Sequence, residues 1–206
     1  MRHKLCRQLS LTAIFQKYKN KFVADNQRLN IVDECGNIIG EETRGNIHKQ
    51  GLLHKEVHVW LYTPKGEIIF QHRAKNKDTY PDLLDATVGG HVEIGSDYED
   101  SAIKEMEEEA GIIATKDDLV FIKTAKRESH DKATGTINYA IKTTYAYCYN
   151  GKVEDLRVEK DEAIRFEAWS FEKVFNLSAN DKKRFIADIF GDGTLDIFKE
   201  IQKLVK

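Results

Sequence analysis

The segment from Gly89 to Ile112 constrains what this chain can fold into more than any other part of the sequence. It reads GGHVEIGSDYEDSAIKEMEEEAGI. Apolar residues repeat at helical spacing over residues 96–110, and Gly111 follows where glycine commonly ends a helix. One stripe of this helix should pack on a core, and its members are Tyr98, Ala102, Ile103, Met106 and Ala110. We therefore expect a glycine loop that leads into an amphipathic helix.

Three glutamates share a neighbouring face of that helix. Glu105, Glu108 and Glu109 have i, i+3, i+4 spacing. Like charges at such spacing destabilise a helix by roughly 0.2–0.5 kcal/mol per pair. A hard divalent cation would reverse this penalty, since Mg²⁺ prefers oxygen ligands and keeps waters that a phosphate can displace. A lone acidic cluster is more often a solvated helix face, so the spacing of the whole segment decides between the two interpretations.

That spacing resembles the Nudix box, in which a glycine is followed at fixed offsets by glutamates, a second glycine and aliphatic residues. The matching residues are Gly90, Glu105, Met106, Glu108, Glu109, Gly111 and Ile112. Two positions depart from the pattern, because Ser96 replaces the usual glutamate and Lys104 replaces the usual arginine. Lysine keeps a cation but lacks the planar fork of arginine. Both departures weaken the prediction of efficient catalysis more than the prediction of the fold.

The resemblance implies an α/β protein, a Nudix-type α/β/α sandwich with a mixed central sheet and added N- and C-terminal helices. It implies Mg²⁺- or Mn²⁺-dependent cleavage of a diphosphate linkage in a small nucleoside-diphosphate-type substrate. The implied metal ligands are Gly90, Glu105, Glu108 and Glu109, and Glu105 is also a candidate to activate water. A further catalytic acid often follows the later strands of such enzymes. Glu162 is the best match to this further acid, and the alternative is that Glu162 lies on a solvated loop without a catalytic role.

Residues 71–92 resemble one branch of the family, which includes type I isopentenyl-diphosphate isomerase and its hydrolase-like relatives. A basic pair matching Arg73 and Lys77 grips the diphosphate in that branch. The isomerase needs a cysteine just before the Gly-His of this loop. Gly89 stands in that position, which argues strongly against isomerase activity.

Histidines near this loop carry a further hypothesis. His91 matches a metal-binding histidine of the isomerase, and His54 and His48 lie near where a three-histidine site would need them. We expect His91 to contact substrate, with metal ligation or a structural role as the alternatives.

Composition excludes several classes of partner. Basic residues number 32 and acidic residues 34, so the net charge of −2 predicts no attraction of the whole chain to nucleic acid or an anionic membrane. No apolar stretch reaches 18 residues, so we expect no membrane span. Cys6, Cys35 and Cys148 are too few and too scattered for a disulfide framework, which fits a cytoplasmic protein.

The chain divides into three expected parts. Residues 1–28 form a helical extension that could pack on the core or contribute to a homodimer interface. Residues 29–176 form the Nudix domain, and residues 177–206 form a helical segment packed on it. Expected strands cover residues 29–32, 38–39, 57–62, 67–71, 86–92, 119–125 and 138–149. Expected helices cover residues 96–110, 170–177 and 181–205, with a break in the last near residues 191–193. Residues 41–53 are polar with two glycines and predict a loop or an edge segment.

Three functions remain open at this point. The first is a metal-dependent hydrolase, the second is a catalytically weakened module that binds a nucleotide or diphosphate, and the third is the isomerase that Gly89 disfavours.

Overall fold

The computed structural model describes residue 19 and residues 22–77, 79–131 and 134–205. The predicted helix over residues 1–27 lies mostly outside these ranges, although residues 22–26 are helical. No helix within the described ranges is long and apolar enough to cross a membrane.

Nine strands and five α-helices follow one another in the described ranges. The strands are β1 (Arg28–Val32), β2 (Ile38–Thr43), β3 (His54–Thr63), β4 (Glu67–Arg73), β5 (Leu84–Asp85), β6 (Val88–His91), β7 (Val120–Asp131), β8 (Thr136–Cys148) and β9 (Ala163–Ser170). The helices are α1 (Arg44–Gln50), α2 (Tyr98–Ala110), α3 (Phe171–Phe175), α4 (Ala179–Lys182) and α5 (Asp192–Gln202). Short 3₁₀ turns cover Lys116–Asp118, Val153–Asp155 and Ala187–Phe190.

The central sheet is mixed. Its main path runs β5-β4-β3-β8-β7, with β6 added to β3 and β9 added to β4. Strand β3 pairs with β8 in parallel, while its pairings with β4 and β6 are antiparallel. Strands β1 and β2 form a separate hairpin. The mixed sheet confirms the predicted fold class.

Side chains alternate along β3 and build a core on each face of the sheet. Val57, Val59 and Leu61 pack with α2 on one face. Trp60 and Tyr62 pack on the other face with the C-terminal segment, including Phe198 of α5. Helices therefore cover both faces, as an α/β/α sandwich requires.

One expected element was wrong. Residues 44–50 form the helix α1 rather than a loop or an edge segment. The Thr43 hydroxyl accepts a hydrogen bond from the Asn46 amide at its start, and Gly51 ends it with a φ of +66°. Only Ile47 is fully buried, so the helix lacks the long apolar stripe that reveals most helices. The break expected near Gly191 does lie between a 3₁₀ turn and α5, but residues 183–186 also leave the helix, so residues 181–205 divide into α4, the 3₁₀ turn and α5.

Candidate active site

Helix α2 is fixed at both ends and along one face. The Asp97 carboxylate accepts a hydrogen bond from the Asp100 amide at 2.7 Å, and Gly111 ends the helix with a φ of +70°. Ala102 and Met106 are completely buried against the sheet. This packing turns Glu105 and Glu109 toward the glycines of β6, while Glu108 stays about half exposed beside Lys104.

Gly90 makes room for the Glu105 carboxylate. A Cβ atom at position 90 would lie 2.0 Å from Glu105 Oε1, a distance that no real contact tolerates. The neighbouring Gly89 amide donates a hydrogen bond to Glu109 Oε2 at 3.4 Å, and the Gln71 side chain donates to the same oxygen at 3.2 Å. The structure thus brings Gly90, Glu105 and Glu109 together between β6 and the C-terminal half of α2.

Ionising both Glu105 and Glu109 is unfavourable, because the two carboxylates are partly removed from solvent and repel each other. Burial and then the charge of Glu108 raise the pKa of Glu105 to about 7. Burial and then the charges of Glu105 and Glu162 raise the pKa of Glu109 well above its usual value. A divalent cation would relieve this repulsion with the oxygen ligands it prefers, so these residues fit Mg²⁺ or Mn²⁺.

Glu162 and Lys77 lie at the rim of this site and form an ion pair with each other. Glu159 is a further acid at this rim, and the sequence did not single it out for a role. Burial, then the charges of Glu162 and Glu108, raise its pKa. Gln71 was also missed, although a polar residue inside the apolar strand EIIFQHR was an available indication.

Arg73 is engaged within its own loop. Its guanidinium donates to Asp85 Oδ2 at 2.9 Å and to the Thr79 carbonyl at 3.0 Å. Both bonds hold the segment between β4 and β5, so the arginine fork that was expected to grip a diphosphate is directed at protein groups.

His48, His54 and His91 form a compact cluster on the other side of β6. One ligand atom from each ring lies within 4.8 Å of the others, and the Nε2 atoms of His48 and His91 are 3.0 Å apart. The Leu52 carbonyl lies 3.0 Å from His54 Nδ1, which leaves the buried His54 Nε2 without a hydrogen-bond partner.

A buried acid completes this histidine cluster. Glu56 Oε1 lies 3.7 Å from both His54 Nε2 and His91 Nε2, and Lys142 Nζ lies 3.2 Å from Glu56 Oε2. Burial opposes ionisation of Glu56, yet Lys142 and the nearby His54 ring hold its pKa well below its usual range. Burial lowers the pKa of His91 to about 3, so its imidazole is neutral at pH 7 and can ligate a transition metal.

Position 89 is sterically closed to larger residues. A Cβ atom there would lie 2.7 Å from Cδ2 of the His58 ring. His58 is therefore a further residue of this region that sequence reasoning missed.

A protein family, several curated proteins and several solved structures match this chain. A family model, the NUDIX domain, matches residues 52–189. An uncharacterized Nudix hydrolase of Clostridium acetobutylicum is 31% identical over 143 residues, which are 68% of each chain. An uncharacterized Nudix hydrolase of Yersinia pestis is 40% identical over 84 residues, which are 41% of this chain and 46% of that protein. The match covers about half of the length of other curated relatives of this kind.

Solved structures share the fold at low sequence identity. A crystal structure of a Deinococcus radiodurans protein has a TM-score of 0.59 at 18% identity, covering 84% of this chain and 98% of that one. The NUDIX domain of Shewanella oneidensis NrtR, complexed with ADP ribose, has a TM-score of 0.52 at 12% identity, covering 75% and 88%. These likenesses show the fold alone.

Proposed function

Because the chain belongs to the Nudix family, we propose that it hydrolyses a phosphate anhydride in a small molecule with the help of Mg²⁺ or Mn²⁺. One observation carries the proposal: Glu105 and Glu109 lie partly buried beside Gly89 and Gly90, where burial and the charges of neighbouring glutamates raise the pKa of both. We infer a substrate of the nucleoside-diphosphate type, and the ADP ribose bound by the Shewanella domain of the same fold supports this class.

Each residue of the site has a proposed task. Glu105, Glu108, Glu109 and the Gly90 carbonyl hold the cation. A bound divalent ion would polarise the phosphate oxygens and lower the pKa of an attacking water. Glu105 and Glu162 are placed to accept the proton of that water. Lys77 and His91 bind the substrate anion. Arg73 contributes indirectly, because its ion pair with Asp85 fixes the loop that carries Lys77.

The test is a hydrolysis assay over nucleotide sugars, dinucleotides, nucleoside di- and triphosphates and coenzyme A, with and without Mg²⁺ or Mn²⁺. Glu109→Gln should lower the rate by about 100-fold, at the upper end of what removal of a metal-site group costs. Glu107→Gln is the matched control, since Glu107 lies on the exposed face of the same helix. The absence of metal-dependent turnover across the whole panel would exclude the hydrolase.

A binding module that has lost turnover is the second candidate. Lys104 favours it, because its ammonium contacts Glu93 at 2.6 Å where the family arginine would offer a planar fork. Calorimetry that shows nucleotide binding without hydrolysis would support this alternative. Isomerase activity is disfavoured, since Gly89 lacks the thiol that the isomerase has at this position.

We also propose that the histidine cluster binds a transition metal separately from the glutamates. The buried His54 Nε2, which has no hydrogen-bond partner, supports this. Equilibrium dialysis should find one equivalent of Zn²⁺ that is lost in His54→Gln. Retention of that equivalent in the variant would exclude the cluster as a site.

The remaining proposals concern the whole chain. A small-molecule substrate, a cytoplasmic location and a possible homodimer are carried over from the sequence, as are the divisions at residues 1–28, 29–176 and 177–206. The near balance of charge supports the small-molecule partner over nucleic acid.

A further inference from the structure

Two turns are clasped together at the rim of the glutamate site. The turn of residues 74–77 follows β4, and the turn of residues 159–163 precedes β9. The Ala74 amide donates to the Glu162 carbonyl at 2.9 Å, and the Asn76 side-chain amide donates to Asp161 Oδ1 at 3.2 Å. The Lys77 ammonium pairs with the Glu162 carboxylate. We call these two turns the rim clasp.

Lys77 is the cation of the rim clasp that faces the carboxylates. Its charge lowers the pKa of Glu159, whereas Glu162 raises the pKa of both Glu159 and Glu109. The Lys77 side chain is 23% exposed, so solvent screens its charge only in part. Glu162, the ion-pair partner of Lys77, therefore acts by its charge on Glu109, one of the proposed ligands of the divalent cation.

Arg73 and Lys77 differ in their freedom to move. Arg73 is bound by Asp85 and Thr79 and fixes the base of the loop. Lys77 holds Glu162 through one ion pair on a flexible four-carbon stem. Release of Lys77 would break this one ion pair, whereas release of Arg73 would break its bonds to Asp85 and Thr79 and loosen the base of the loop.

We propose that Lys77 is an exchangeable counter-cation of the glutamate site, paired with Glu162 until a divalent cation binds and then transferred to the phosphate of the substrate. This inference rests on the proposed function and adds a regulatory step to it. Repulsion between the ammonium and the arriving cation weakens the Lys77–Glu162 pair, and the anionic substrate supplies the new partner. Lys77 therefore lowers the affinity for the divalent cation when substrate is absent. Bound substrate removes this effect, because its phosphate takes up the Lys77 ammonium.

The direct test measures Mg²⁺ affinity without substrate by calorimetry. Mg²⁺ is the probe because imidazole is a poor ligand for it, so the histidine cluster contributes little. Lys77→Met should bind Mg²⁺ about tenfold more tightly than the wild-type chain, because a competing unit charge is gone. Lys75→Met is the matched control: Lys75 is 74% exposed, pairs with Asp82 and should leave the affinity unchanged.

A double-mutant cycle separates this role from a purely structural one. If Lys77 competes through Glu162, the gain from Lys77→Met shrinks in a Glu162→Gln background, and Lys77→Arg keeps the wild-type affinity. Unchanged or weaker Mg²⁺ binding by Lys77→Met overturns the proposal. Lys77→Gln replaces Lys77→Met if thermal unfolding shows that the methionine variant is not folded.

The outcome is distinguishable from failure of the hydrolase proposal. Tighter Mg²⁺ binding by Lys77→Met, combined with no turnover on any anhydride, would retain the counter-cation and exclude the hydrolase. Turnover combined with an unchanged Mg²⁺ affinity in Lys77→Met would retain the hydrolase and exclude the counter-cation.

Discussion

Glu105 links the protonation of one side chain to the stability of the folded protein. Its pKa is raised from 4.5 to about 7, first by burial and then by Glu108. Between these two values the folded protein holds a proton that the unfolded chain has released. Stability in the absence of a cation therefore falls as the pH rises through this window. His48, His58 and His91 have lowered pKa values, caused first by burial, and give the opposite slope below pH 6.5.

Glu105→Gln should isolate the contribution of this carboxyl. We expect the variant to gain stability relative to the wild-type chain as the pH rises from 4.5 to 7, by about 3 kcal/mol at most. The difference removes the histidine contributions because they are common to both proteins. Urea unfolding with a chelator at several pH values measures it, and two parallel profiles would contradict the raised pKa.

Residue spacing in the sequence predicts part of the candidate site and not the rest. The i, i+3, i+4 spacing correctly indicated that Glu105 and Glu109 share a helix face, and their metal-binding role stays a prediction. The partners of Arg73 could not be foreseen, because the contact with Thr79 depends on the path of an irregular loop. Glu159 and Glu56 were missed because each belongs to its cluster only through the tertiary fold.

A Cβ atom at position 90, where strand β6 meets helix α2, would collide with the Glu105 carboxylate. Gly90→Ala should displace the Glu105 carboxylate and weaken Mg²⁺ binding by about 10–100-fold, the range for disturbed metal-site supports. Gly40→Ala is the control, because a Cβ atom there meets nothing within 4 Å. Calorimetry compares the two variants. If Gly90→Ala retains wild-type affinity, the packing of the Glu105 carboxylate against position 90 is not required for Mg²⁺ binding.

Elements with a strong periodic pattern were predicted well, and elements defined by tertiary contacts were not. Helix α2 followed directly from the spacing of its apolar residues and from the glycine that ends it. Helix α1 was missed because its seven residues bury only Ile47. The parallel pairing of β3 with β8 joins residues far apart in sequence, and alternation along a strand does not identify its neighbour.

The sheet separates the molecule into two sides with different tasks. The glutamate site is built on the face that packs on α2, and the C-terminal segment packs on the opposite face. Substitutions in the second core should therefore change stability while leaving the geometry of the glutamates intact.

Phe198 tests whether the C-terminal segment is an integral part of the fold. It is completely buried, with its ring centroid 4.7 Å from that of Trp60 and 5.9 Å from that of Phe70. Phe198→Ala should lower the free energy of unfolding by about 3–5 kcal/mol, because the cavity lies between the sheet and α5 and cannot collapse freely. The Mg²⁺ affinity of the folded variant should stay unchanged.

Phe121→Ala provides the comparison, since Phe121 is 60% exposed on β7 and its loss should cost less than about 1 kcal/mol. Urea denaturation of both variants gives the two values. A loss at Phe198 as small as that at Phe121 would mean that the core closes without α5, and that residues 177–206 are an appendage to an already complete sandwich. A large loss with full Mg²⁺ affinity would instead show that the stability of this molecule and its candidate chemistry reside on opposite faces of one sheet.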